Sequence, residues 1–145
     1  MKRVVLTLLT LLVFCGLAIA GGGLDGFLGN LNIQAQADLG GFSAKVSAQF
    51  GVPVPQVQAI LKTVDTPADA FMVFQLGQMA QRQPEVVVQT YKTHKDKGWG
   101  VIAKELGIKP GSKEFHALKN GDLVLGDTPA DSPGKGKGKG KGQNR

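Results

Sequence analysis

The chain has 145 residues, with 17 Lys+Arg, 11 Asp+Glu, two His, one Cys and 21 Gly, for a formal charge of +6. That length excludes a large multidomain enzyme, and a single cysteine excludes a disulfide-stapled miniprotein. A basic balance of this size points first to nucleic acid, but its distribution removes that reading. Lys2 and Arg3 open the chain, and Lys135, Lys137, Lys139, Lys141 and Arg145 close it. Residues 21–131 between them hold ten basic and eleven acidic side chains, a formal −1.

The N-terminus has the order of a secretory signal peptide: Lys2-Arg3, an almost wholly apolar run over 4–17, then Ala18-Ile19-Ala20. Ala18 and Ala20 supply the small-x-small cleavage site. The alternative is a retained anchor, because 4–20 sits at the lower limit of about 17 residues for a bilayer span. Phe14 precedes Cys15, where lipoprotein processing needs a small residue, so Cys15 reads as one more apolar residue of the leader. Cleavage after Ala20 removes the one cysteine, and with it any disulfide, thiolate metal site or cysteine nucleophile. The expected location is periplasmic, envelope-associated or extracellular, with no membrane span after processing.

Residues 21–41 carry seven glycines among Leu24, Phe27, Leu28, Leu31 and Ile33. That composition leaves a loose leader and a short docking helix both open. From 42 to about 120 the punctuation is that of short helices. A helix over 42–50 stops at Gly51, a good C-terminal residue. Pro55 then suits a first helical turn, followed by Val57, Ile60, Leu61 and Val64 at helical spacing. Thr66-Pro67 with Asp69 is a hydroxyl cap, a proline and a first-turn acid. The helix it starts is apolar nearly all round, which marks it as the central buried one. Pro84 starts another; Val86, Val87 and Val88 have strand bias, but Tyr91 at helical spacing favours a helix. Trp99, Ile102, Ala103 and Leu106 make a clean stripe ended by Gly107. Ser112 caps a last short helix with Phe115 and Leu118.

The expected architecture is therefore all-α: a compact bundle of about five or six short helices over 42–120, with the glycine-rich leader at 21–41 before it. A linker and disordered tail follow over 121–145. Phe71, Phe74, Leu76, Tyr91, Trp99, Ile102, Leu106 and Phe115 are the expected core. Phe42, Val46, Val57 and Leu61 fall thirty positions before Met72, Leu76, Val87 and Tyr91. Such matches arise easily between amphipathic helices, and coincidence is the expectation.

The stretch 98–119, GWGVIAKELGIKPGSKEFHALK, is the most distinctive. Its first half has the small residue and glycine of a helix-turn-helix opening, Ala103 and Gly107. Lys113 then stands where a packed aliphatic residue is usual, and Pro110-Gly111 interrupts the turn. A packed helical hairpin is expected, and specific DNA binding is not. This stretch, with the later Gly-Lys tail, resembles a group of uncharacterised small exported bacterial proteins. The resemblance implies export and helical structure, and it implies no activity or catalytic residue.

No constellation points to a metal or cofactor, and none is expected. His94 and His116 are the only histidines, and they fall in different elements without ligand spacing. Ser43, Ser47 and Ser112 lie outside any nucleophile elbow. Glu85, Glu105 and Glu114 occupy positions of exposed helical residues.

Over 134–142 glycine alternates with lysine, which denies both helix and core. At about 1 kcal/mol per lysine beside an anionic surface, four lysines give about 4 kcal/mol, near millimolar attachment. Lys135, Lys137, Lys139, Lys141 and Arg145 are thus the candidate polyanion-binding residues, toward anionic envelope polymers or extracellular nucleic acid. The leading expectation is an exported, non-enzymatic helical protein with a weakly attaching cationic tail. The alternatives are an envelope enzyme built on His94 or His116 with a carboxylate, and a helix-turn-helix nucleic-acid binder.

Overall fold

The computed structural model describes residues 23–126. Cys15, Ala18 and Ala20 of the expected leader lie outside the described residues, as do Lys135, Lys137, Lys139, Lys141 and Arg145. Among the described residues there are seven α-helices and no strand: α1 (Leu24–Ala37), α2 (Leu39–Phe50), α3 (Val54–Leu61), α4 (Pro67–Ala80), α5 (Pro84–His94), α6 (Trp99–Glu105) and α7 (Lys113–Asn120). A 3-10 turn, Lys95–Lys97, joins α5 to α6. The fold is an all-α bundle of short helices.

One helix beyond the expected six comes from the glycine-rich segment. Gly26 and Gly29 each weaken a helix by about 1 kcal/mol relative to Ala. Tertiary contact outweighs them: Leu31 and Ala35 are buried, and Phe27 sets its ring edge-on to Phe71 at 5.4 Å. Asp38, extended at φ −153°, separates α1 from α2, and its Oδ1 accepts from the Gly41 N–H at 2.8 Å. That side-chain cap moves the start of α2 to Leu39, ahead of the expected Phe42.

Helix α4 is the centre of the bundle, and α1, α2, α3 and α5 all pack on it. Its start is a complete capping box, in which Thr66 and Asp69 each satisfy the other's backbone N–H. Ala68, Ala70, Phe71, Met72, Val73, Phe74, Leu76 and Gly77 are all buried along it. Phe50 stacks on Phe74 at 5.8 Å and meets the edge of Phe71 at 5.7 Å. Phe71, Phe74, Leu76, Tyr91, Trp99, Ile102, Leu106 and Phe115 all lie in the buried core.

The thirty-residue echo coincides with two hairpins of the same geometry, α2–α3 and α4–α5. Gly51 and Gln81 end their first helices in the left-handed region, at φ 65° and 53°. Two residues on, Pro53 and Gln83 start the second helices at φ −63°, ψ 143° and φ −65°, ψ 145°. Val52 N–H donates to Ser47 O at 3.1 Å and Arg82 N–H to Gly77 O at 2.8 Å, the same wide C-terminal bond in each. Phe42, Val46, Met72, Leu76, Val57 and Val87 are buried at equivalent places in the two hairpins.

The two ends of the body are fastened. Gly23, before α1, lies directly against Gly121, after α7, so closely that a side chain on Gly121 would enter the Gly23 backbone. The extended residues after α7 are held on α2 by Gln49. Its Nε2 donates to Val124 O and its Oε1 accepts from the Gly126 N–H, both at 2.9 Å.

Candidate functional site

The most concentrated polar arrangement in the body grows from the first turn of α4. Asp69 is placed by its role in the capping box, where Oδ2 accepts from the Thr66 N–H at 3.1 Å and from Thr66 Oγ1 at 2.9 Å. The same oxygen accepts from the Tyr91 hydroxyl at 3.1 Å, and Oδ1 accepts from Trp99 Nε1 at 3.2 Å. One carboxylate thus ties α4 to α5 and α6. Tyr91 and Trp99 stack on each other at 5.2 Å between ring centres. The Tyr91 oxygen also accepts from the Asp65 N–H at 3.3 Å, which fixes the loop before α4.

Above this knot lies an open depression of about 340 Å3 lined by Asp65, Thr66, Asp69, Tyr91, Lys95 and Asp96, with Trp99 and Ile102. Its rim carries an exposed ion pair, Lys95 Nζ to Asp65 Oδ2 at 2.8 Å. The Lys95 hydrogen bond holds the Asp65 carboxyl below its ordinary value, and Asp65 in turn raises Lys95. Burial pushes the Tyr91 hydroxyl well above the ordinary phenol value, and the charge of Asp69 adds to that. All four hydrogen bonds to Asp69 come from the protein itself, so its oxygens are engaged in holding helices together. The arrangement is a structural knot under a polar dish.

The residues considered for catalysis do not converge. His94 is half-buried, and its Nδ1 faces the Thr90 carbonyl oxygen of its own helix at 3.2 Å. His116 is exposed on α7. Among the described residues neither histidine is hydrogen-bonded to a carboxylate, and no group of three or more His, Cys, Asp or Glu is placed to hold a metal ion. Ser43 and Ser47 donate to the backbone oxygens of Leu39 and Val52, and Ser112 accepts from the Phe115 N–H as the cap of α7. Glu85, Glu105 and Glu114 are exposed on three different helices.

The α6–α7 pair departs from a helix-turn-helix. Its connection runs from Leu106 to Ser112, longer than the three- to four-residue turn of that motif. Leu106 and Ile108 turn inward, and α7 rests on α1 as well as α6.

Sequence reasoning placed Thr66 and Asp69 at a helix start and Tyr91 and Trp99 in the core. It missed that Asp69 binds both aromatic residues, and it gave no role to Asp65 or Lys95. The threonine–proline–aspartate pattern was the one local signal. The chain matches no family model, no curated protein and no solved structure. Among the described residues no helix is long and apolar enough to cross a membrane.

Proposed function

We propose that the protein is an exported, non-enzymatic helical module that attaches weakly to anionic polymers through its Gly-Lys tail. The observation that carries this reading is the partition of charge: 21–131 is formally −1, while Lys135, Lys137, Lys139, Lys141 and Arg145 follow in one short stretch. The Gln49 clamp supports it, because fastening 124–126 to α2 gives the following segment a fixed point of departure. The signal-like order of 1–20 supports export, as does the resemblance of 98–119 to small exported bacterial proteins. The partners are negatively charged envelope polymers or extracellular nucleic acid, recognised by charge density and not by sequence.

The test is retention on anionic vesicles by the full chain and by a chain lacking 134–145, across a salt series. Salt-sensitive retention that disappears with the deletion is expected. Retention unchanged by either salt or deletion overturns the reading. The mass of the protein recovered from its own cells tests export, with loss of 1–20 as the expected result.

A further inference from the structure

Eight apolar residues of 24–50 fall on one helical stripe: Leu24, Leu28, Leu31, Ala35, Leu39, Phe42, Val46 and Phe50. Steps of three and four run through it without interruption, the pattern of a single continuous helix. The structure nevertheless breaks the helix at one residue, Asp38. Every other member of the stripe is buried or half-buried, whereas Leu39 is 50% exposed.

We propose that 24–50 switches between this kinked pair and one straight helix, and that the straight form exchanges α1 with a second copy of the chain. The break is small. Asp38 N–H still donates to Gln34 O at 3.0 Å, and Phe42 N–H donates to Asp38 O at 3.0 Å, both bonds of an ordinary α-helix. Rotation about the Asp38 backbone alone therefore rejoins the two helices. The kink is held by the Asp38 side chain, which accepts from the Gly41 N–H at 2.8 Å.

Straightening carries α1 away from α4. It uncovers Phe71, which Phe27 covers, and it frees the Ala68 N–H, which donates to Asn32 Oδ1 at 2.9 Å. The site left on α4 fits α1 in shape and in hydrogen bonding. At high protein concentration the α1 of a second copy is the occupant that restores both contacts, and the exchange is reciprocal. A short hinge that interrupts a continuous pattern is the usual setting for such swapping.

The test is the mass of the purified full chain by light scattering after refolding at low and high concentration. The wild type is expected to give a dimer only from concentrated refolding. Asp38→Ala, which removes the cap, is expected to raise the dimer association constant about 25-fold, about fivefold for each of the two hinges. Leu39→Pro is expected to abolish the dimer: proline suits the first turn of α2, keeps Asp38 extended and forbids the straight helix. Leu39→Ala removes the same exposed side chain but leaves the backbone free, and it keeps the dimer. A wild type that refolds only to monomer overturns the proposal. So does dimerisation of Leu39→Pro at the wild-type level, or loss of the dimer in Leu39→Ala.

Discussion

Trp99 reaches back thirty residues to Asp69, and its indole N–H donates to Oδ1 at 3.2 Å. The other oxygen of that carboxylate takes the Tyr91 hydroxyl, so the two stacked rings are pinned by one side chain at the start of α4. A helix cap has thereby become the junction of three helices.

Asp69→Ala removes that junction and leaves the Tyr91 hydroxyl, the Trp99 indole and the Thr66 N–H without their acceptor. Each lost partner of a half-buried donor costs about 1 kcal/mol or more. A loss of about 2–3 kcal/mol in urea unfolding is expected. Trp99 fluorescence is expected to shift to the red in the folded variant, as its indole gains access to water.

Alkaline pH acts on the same knot. Tyr91 is held above its ordinary value of 10.0, and Lys95 above 10.5. Both groups are protonated more readily in the folded chain than in the unfolded one. Their contribution is therefore complete below about pH 10 and is lost as pH rises through the folded-state values. Urea midpoints are expected to hold from neutrality to about pH 10 and then fall. Tyr91→Phe is expected to give a shallower alkaline decline. At the acid end the sign reverses for Asp65, whose contribution is present above 3.8 and is lost as pH falls through its lowered value.

Gln81 is the one non-glycine residue at positive φ among the described residues, at the position where α2, α6 and α7 are followed by Gly51, Gly107 and Gly121. A side chain in the left-handed region costs about 1 kcal/mol, partly offset by the greater freedom glycine gives the unfolded chain. Gln81→Gly is expected to raise stability by about 0.5 kcal/mol. The reciprocal Gly51→Gln is expected to lower it by about the same 0.5 kcal/mol. Paired thermal melts check the opposite signs.

Gly121 combines φ +70° with a close approach to the Gly23 backbone that leaves no room for a Cβ. Gly121→Ala is expected to cost more than about 2 kcal/mol. Hydrogen exchange of the α1 amides is expected to rise with it, because the N-terminal end of α1 rests on that contact.

Much of the fold was legible locally. The Thr66 cap, the Gly51 stop, the Ser112 cap and the Trp99–Leu106 stripe need only neighbours three and four residues away, and each has its place in the structure. What escaped depends on partners far along the chain. Asp69 looks the same in sequence whether it caps one helix or joins three, because Tyr91 and Trp99 lie 22 and 30 residues on. Helix α1 stayed one of two open alternatives because its glycines argue against a helix, and Phe71, which outweighs them, lies on α4. The boundary was placed at Phe42 and not at Asp38, because Gly40 and Gly41 argue against a helix and the Asp38 cap that starts α2 was not recognised.

On the proposed reading, affinity for polyanions resides in the tail and not in the body. The most direct test is binding to an anionic polymer, from low to high salt, by the full chain and by one bearing Lys135→Gln, Lys137→Gln, Lys139→Gln and Lys141→Gln. Near-millimolar binding at low salt, a steep decline as salt rises, and loss of most of that binding in the substituted chain are expected. Equal binding by the two chains, with the same salt dependence, would contradict it.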